Sequence, residues 1–124
     1  MNLKPLTING KQVKLPIIQG GMGIRISLGK LARACMDSGI VATISAAQVG
    51  FLKKGFKKNT LEVNKQAMID EINGIRETNP DGVLGVNLMH AGQQFAEYAS
   101  FLAQQNIDFI VSGAGLPLDL PEYL

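Results

Sequence analysis

The sequence predicts an α/β protein in which parallel strands alternate with helices. Short apolar segments of strand length alternate along the chain with segments whose apolar residues recur at helical spacing. Strict alternation of strands and helices is typical of a parallel sheet with helical crossovers. The composition is that of a globular protein, since 46% of the 124 residues are hydrophobic and 18% are charged.

The first predicted element is a β-hairpin. Asn9-Gly10 separates residues 6–8 from residues 12–15, and this dipeptide is the strongest short-range signal for a two-residue hairpin turn. Residues 16–19 follow as a short apolar strand, which we expect to stop at Gly20-Gly21.

A helix and a second parallel strand are predicted next. Ser27 is a suitable N-cap for the helix, and Gly39 is placed to end it in a left-handed conformation. The apolar stripe of this helix comprises Leu28, Leu31, Ala32 and Cys35. Residues 40–45 then form a strand that is apolar nearly throughout, as a strand buried on both faces should be.

Two further pairs of helix and strand complete the pattern. Thr60 can cap a long helix, and residues 79–82 form a turn before a strand at 83–88. Asn106 can close the last helix before a strand at 107–112. The apolar stripes of the two helices comprise Leu61, Met68, Ile69, Ile72 and Ile75, and Phe95, Tyr98, Ala99 and Leu102.

The residues that follow the strands distinguish between two parallel folds. A dinucleotide-binding fold needs G-x-G-x-x-G after its first strand and a carboxylate at the end of its second strand. Ile26 stands where the third glycine belongs, and residues 45–47 contain no acid. A (β/α)₈ barrel instead gathers small or polar residues at the carboxyl ends of its strands. Such barrels need about 250 residues, so we expect residues 1–124 to be the N-terminal part of one barrel domain, stopping after the fourth strand.

The small and polar residues at the predicted strand ends are the candidate site residues. They are Gly20, Gly21, Met22 and Gly23 after the first strand, Asn87 after the third, and Ser112 and Gly113 after the fourth. Glycines without side chains would let a flat cofactor lie against the backbone, and an amide both donates and accepts hydrogen bonds, which suits the edge of a flavin ring. Taken singly, each feature is equally compatible with a tight turn or with an amide satisfied by backbone.

Three segments together resemble signatures of the nitronate monooxygenase (2-nitropropane dioxygenase-like) family. They are residues 16–23 (PIIQGGMG), 85–89 (GVNLM) and 112–117 (SGAGLP), in the same order and spacing as in that family. The resemblance runs through essentially the whole chain. Flavin-dependent enoyl-[acyl-carrier-protein] reductases are similar to this family and share the first signature.

The resemblance implies an FMN-binding barrel that oxidises nitronates or nitroalkanes with O₂. It implies that Gly21 and Met22 pack against the flavin, that Asn87 contacts it, and that Ser112 and Gly113 line the floor of the pocket. The family's catalytic histidine follows its fourth strand, and its FMN phosphate is held by glycine-rich loops late in the barrel. We therefore expect both to lie beyond residue 124, the chain alone to be inactive, and no metal to be needed.

Other reactive side chains are predicted to be structural. His90 does not fall where the family's catalytic histidine falls. Asp108 lies at the start of a strand, and the amino ends of barrel strands contribute to stability and not to the active site. Cys35 lies on a buried helical stripe and behaves as a small core residue. Arg25 follows the glycine turn on the active-site side, so contact with an anionic ligand stays open as an alternative to a structural role.

Charge and composition limit the classes of partner that we expect. Eleven of the twelve Lys and Arg lie in residues 1–65, and Lys53, Lys54, Lys57 and Lys58 interleave with Phe51 and Phe56. Single-strand nucleic-acid binders combine these residue types, but the cluster has no Arg and no nucleic-acid motif is near it, which favours a solvated surface. There is no apolar run of roughly 20 residues, no secretory signal and only one cysteine. We expect a cytoplasmic protein with a small-molecule substrate and neither nucleic acid nor membrane as partner.

Three functions stay open at this point. The first is that of a nitronate monooxygenase-like enzyme, and the second is that of a flavin-dependent enoyl reductase, each represented by a fragment. The third is a non-catalytic half-barrel that acts through a partner. Half a barrel leaves a strand edge unpaired at each side and uncovers its apolar inner face, so self-association is expected.

Overall fold

The computed structural model describes residues 3–124 and has a mixed α/β architecture. A hairpin of β1 (Leu6–Ile8) and β2 (Lys11–Val13) comes first. The remaining elements are α1 (Gly29–Asp37), β3 (Ala42–Ser45), α2 (Thr60–Thr78), β4 (Leu84–Met89), α3 (Phe95–Leu102), β5 (Phe109–Gly113) and a 3₁₀ turn at Leu120–Tyr123. Within residues 3–124, no helix combines the length and the apolar character needed to cross a bilayer.

The strands β3, β4 and β5 form a parallel sheet in chain order, with Ala42 opposite Leu84 and Gly85 opposite Phe109. The predicted strand at 16–19 is reduced to one parallel bridge between Ile18 and Val41. The Val41 carbonyl accepts from the Gln19 amide at 3.0 Å. Four segments therefore lie side by side in sequence order, as predicted for a parallel α/β protein, and over residues 3–124 the sheet is open and does not close into a barrel.

All three helices pack against one face of the sheet. The strand residues on this face alternate with residues on the other face, because successive side chains point to opposite sides. The core face is formed by Ala42, Ile44, Leu84, Val86 and Leu88, and it packs against buried residues of the three helices. Cys35 is one of these residues, and burial raises the pKa of its thiol. The core role predicted for Cys35 is confirmed.

The N-terminal hairpin covers the amino ends of the strands. Asn9 and Gly10 both have positive φ, +48° and +75°, as a two-residue type I′ turn requires. Val13 of β2 packs with Val41 and Val83 in a small second cluster. The hairpin predicted from Asn9-Gly10 is confirmed, and its packing closes the end of the sheet opposite to the candidate site.

Asp108 joins the hairpin, α2 and the sheet at this end. Its side chain is 3% exposed and accepts hydrogen bonds from Arg76 Nη2 at 2.8 Å and from the Leu84 amide at 2.9 Å. Lys11 Nζ lies 3.0 Å from its Oδ1. Burial opposes the ionisation of Asp108, but the bonds from Leu84, Arg76 and Lys11 outweigh it, so the pKa lies below its ordinary value. The structural role predicted for Asp108 is confirmed.

The two predicted N-caps are wrong. Helix α1 begins at Gly29, and the Gly29 amide donates to Glu71 Oε2 of α2 at 2.8 Å, so a carboxylate from another helix replaces the Ser27 cap. Helix α2 is preceded by Asn59, while the Thr60 hydroxyl donates to the Phe56 carbonyl at 2.9 Å. Both hydroxyls are hydrogen-bonded elsewhere, which a local cap pattern cannot reveal.

Candidate functional site

The glycine turn that follows the first extended segment packs over the carboxyl end of the sheet. Asn87 Nδ2 lies 3.4 Å from the Gly21 carbonyl oxygen, a long hydrogen bond that spans 66 residues of sequence. A Cβ on Gly21 would lie 2.5 Å from the Asn87 Cβ and 3.3 Å from Thr43 Cγ2. The structure therefore brings Gly21 and Asn87 together, and the missing side chain at position 21 permits this approach.

The other residues of the turn divide into packed and open positions. A Cβ on Gly23 would lie 2.8 Å from the Ala47 Cβ, so Gly23 is packed as closely as Gly21. Around Gly20 and Gly113 there is open space, with no atom within 4 Å of an added Cβ. The Met22 side chain is 61% exposed. Two backbone positions and the Met22 side chain are thus accessible at the carboxyl edge of the sheet.

Gln19 and Ser27 hold the turn in place, a role that was not predicted for either residue. Gln19 Oε1 accepts from the Thr43 amide at 3.0 Å, and Gln19 Nε2 donates to Ser27 Oγ at 3.0 Å. Ser27 Oγ also accepts from the Met22 amide at 2.9 Å. Because Ser27 is almost fully buried, its hydroxyl is committed to the turn. The available signal was the pair of polar residues that flank the glycine-rich stretch.

Thr43 and Ser45 form a polar stripe on the face of β3 that points away from the helices. Both are 1% exposed, and within residues 3–124 the Thr43 hydroxyl has no hydrogen-bond partner. Buried hydroxyls are seldom unpaired, so this one calls for an explanation. The alternation of Thr43 and Ser45 with apolar neighbours has the period of two that marks one face of a strand. That signal could have identified them.

Ser112 and Gly113 differ in their relation to Asn87. The register places Ser112 opposite Leu88 and Val111 opposite Asn87. Because side chains alternate along a strand, the Ser112 side chain lies on the helix-covered face with Leu88, away from Asn87. The structure does not bring the Ser112 hydroxyl to the turn, whereas the Gly113 backbone remains at the open carboxyl edge.

His90 and Arg25 make contacts that stabilise loops. His90 Nε2 lies 3.0 Å from Asp119 Oδ1, and its ring meets Phe95 edge to face with centroids 4.7 Å apart. These contacts join the loop after β4 to the segment after β5. Arg25 Nη1 donates to the Val49 carbonyl at 2.8 Å and ties the glycine turn to the loop after β3.

The residues around Asn87 fit the ring of the FMN that the sequence resemblance implies. Asn87 Oδ1 accepts no hydrogen bond from the residues that the structure describes, so it is free to accept one from a ring N–H. The open backbones of Gly20 and Gly113 allow a flat group to approach. Arg25, the cation that follows the glycine turn, donates to the Val49 carbonyl and is not directed to a phosphate. The fit covers the ring and does not extend to a phosphate.

Gly21→Ala is expected to separate the turn from Asn87, because the added methyl would overlap the Asn87 side chain. We expect a loss of about 1–3 kcal/mol in the free energy of unfolding and a shift of the Asn87 side-chain amide signals in NMR spectra. Gly20→Ala is the matched control, since its methyl would point into open space. Equal effects of the two substitutions would contradict the close contact at Gly21.

Within residues 3–124, no three His, Cys, Asp or Glu side chains converge as the ligands of a metal ion would. The candidate site is built from backbone, the carboxamides of Gln19 and Asn87, neutral hydroxyls and the Met22 side chain. Comparison of the chain with protein-family models and with curated proteins found no match.

Proposed function

We propose that this chain forms one wall of the flavin pocket of an FMN-dependent (β/α)₈-barrel oxidoreductase that oxidises nitronates with O₂. The observation that carries the proposal is the contact between Gly21 and Asn87 at the carboxyl edge of a parallel sheet. This contact joins two of the three segments that resemble the nitronate monooxygenase signatures. Ligand sites of barrel enzymes lie at this edge.

The arrangement of the elements supports the barrel. The segment around Ile18 and the strands β3, β4 and β5 follow one another in chain order. The helices pack on one face of the sheet, as they do on the outside of a barrel, whereas a doubly wound sheet carries helices on both faces. The hairpin covers the opposite end of the strands. Further βα units would complete the pocket.

The chain's own residues bind and shield the ring in this proposal. Asn87 would accept a hydrogen bond from the ring edge, and the backbones of Gly20 and Gly113 would leave room for the ring to approach. The exposed side chains of Met22, Ile24 and Ile26 would exclude water from the pocket mouth. Bound FMN would supply the electron chemistry, taking the electron pair of the nitronate and delivering it to O₂.

The first test measures the binding of FMN by the full chain. Quenching of flavin fluorescence is the readout. We expect Asn87→Ala to weaken binding about fivefold, which corresponds to one hydrogen bond. Asn73→Ala, at an exposed position of α2, is the control and should leave binding unchanged. Flavin binding that is indifferent to Asn87→Ala would contradict the assignment of Asn87.

Turnover distinguishes the enzymatic alternatives. Consumption of O₂ with propyl nitronate, in the absence of a nicotinamide cofactor, is expected of the intact protein. A requirement for NADH or NADPH with turnover of an enoyl thioester would select the enoyl reductase instead. Absence of flavin binding together with a defined complex by light scattering would select the non-catalytic half-barrel.

A further inference from the structure

A cavity of about 310 Å³ lies at the carboxyl edge of the sheet, on the side that the helices cover. It is bounded by the loops after β3 and β4 and by α2 and α3. Leu88 and Met89 at the end of β4 line it, whereas Asn87 does not. The Leu88 side chain points to the helix-covered face and the Asn87 side chain to the opposite face, so the cavity and the surface around Asn87 have different linings.

A buried hydrogen-bond donor without an acceptor lines this cavity. Asn64 Oδ1 accepts from the Gly50 amide at 2.9 Å, and this bond sets the orientation of the Asn64 carboxamide. Asn64 Nδ2 therefore donates to the Tyr98 hydroxyl oxygen at 3.0 Å. Tyr98 uses its oxygen as an acceptor in this bond, and within residues 3–124 its own hydroxyl hydrogen meets no acceptor.

An unpaired hydroxyl hydrogen is unusual here, because Tyr98 and its partner Asn64 are both buried. Tyr98 is 9% exposed and Asn64 is 3% exposed. A buried tyrosine hydroxyl usually finds partners for its hydrogen-bonding capacity. The Tyr98 hydrogen is therefore available to a molecule in the cavity that carries an acceptor.

The chemistry of the lining defines the class of that molecule. Among residues 3–124, no Lys, Arg, His, Asp or Glu lines the cavity, and a charged ligand placed there would lose hydration without gaining a counter-charge. Ala46, Leu88 and Phe95 supply apolar walls, and the carboxamides of Gln48, Gln93 and Gln94 stand at the exposed side. The volume lies at the small end of the range for ligand pockets, roughly 300–1,000 Å³.

We propose that this cavity is a second ligand site, which binds a small uncharged, mostly apolar compound through one carbonyl-type acceptor bonded to the Tyr98 hydroxyl. The site does not rest on the proposed flavin chemistry, because none of the residues assigned to the flavin lines the cavity. Its failure and the failure of the FMN assignment are therefore distinguishable by experiment.

The test uses the full chain labelled with ¹⁵N and titrated with acetophenone, toluene and benzoate as probes. Acetophenone offers a neutral ring with an acceptor, toluene lacks the acceptor, and benzoate carries a charge. We expect acetophenone to shift the amide signals of Gln48, Gly92 and Phe95, and to bind more tightly than either other probe. Preferential binding of benzoate, or shifts confined to Gly21 and Asn87, would overturn the proposal.

Tyr98→Phe tests the hydrogen bond directly, because it removes the hydroxyl and keeps the ring. Affinity for acetophenone is expected to fall about fivefold, while affinity for toluene stays the same. Tyr123→Phe is the matched control at the other tyrosine of the chain and should change neither. Unchanged acetophenone affinity in folded Tyr98→Phe would overturn the proposal, and if that variant does not fold, the comparison of probes on the unaltered chain decides.

Discussion

Asp108→Asn is expected to lower the free energy of unfolding by about 3–5 kcal/mol, the usual cost of breaking a buried ion pair from one side. The substitution leaves the Arg76 guanidinium, whose side chain is 8% exposed, beside a neutral amide. It also weakens the bonds from the Leu84 amide and from Lys11 that fasten β4 and the hairpin to this point. Urea denaturation at neutral pH measures the loss.

The same carboxylate is expected to make stability depend on acid pH. The folded pKa of Asp108 is lowered, because hydrogen bonds from Leu84, Arg76 and Lys11 outweigh the effect of burial. A group of this kind contributes its full stability above its unfolded pKa of about 3.9, and the contribution is lost as the pH falls through the folded pKa. Below about pH 4, the unfolding free energy of Asp108→Asn should therefore fall less steeply with pH than that of the unaltered protein.

Asp70→Asn is the control for the loss of stability at neutral pH. Asp70 pairs with Lys53 on the surface, and the two side chains are 49% and 45% exposed. Exposed pairs contribute about 1 kcal/mol or less, so we expect only a small loss. If Asp70→Asn and Asp108→Asn lower the free energy of unfolding equally, the buried network around Asp108 does not stabilise the fold more than an exposed ion pair.

Gly85→Ala is expected to destabilise the protein by about 2 kcal/mol through overpacking. Gly85 of β4 stands opposite Phe109 of β5, and an added Cβ would overlap the Phe109 ring. The ring cannot move freely, because Phe109 packs against the cluster of Val13, Val41 and Val83 under the hairpin. Alanine is otherwise favoured over glycine in a strand by roughly 0.5–1 kcal/mol, so the overlap has to exceed that gain.

Gly113→Ala in β5 is the matched control for this prediction. Nothing lies within 4 Å of a Cβ at position 113 and its φ is not positive, so alanine should be neutral or slightly stabilising. The two substitutions therefore differ in the expected sign of their effect. Adding Phe109→Leu to Gly85→Ala should restore part of the lost stability. Thermal unfolding of the unaltered protein, the two single glycine variants and this double variant would measure the difference. A destabilised Gly113→Ala or an unaffected Gly85→Ala would contradict the packing described for this face.

Much of the local structure could be predicted because it depends on local chemistry. Asn9-Gly10 adopts the positive φ values that its turn needs. Most residues of the predicted helical stripes belong to the core, but Leu31 is 37% exposed. The pairing of the segment at 16–19 could not be predicted in this way. Its composition favours a strand, but whether it pairs depends on a neighbour, and only Ile18 forms a bridge with Val41.

The candidate site was predictable in part. Gly21 and Asn87 could be nominated from their position after predicted strands, and the structure brings them into contact. Ser112 was nominated by the same rule, but the register turns its side chain to the helix-covered face. A shift of one residue reverses the face of a side chain, and short patterns do not specify register to that precision.

The sequence by itself determined the order of strands and helices, the hairpin turn and the apolar stripes, because propensity and periodicity act within a few residues along the chain. Only the tertiary structure decided that Ser27 stabilises the glycine turn instead of capping a helix, and that Glu71 caps that helix from α2. It also decided that Asp108 joins three elements and that Tyr98 retains a free hydrogen. A polar side chain bonds to whichever partner folding brings within about 3 Å, and that partner is set by packing between distant segments.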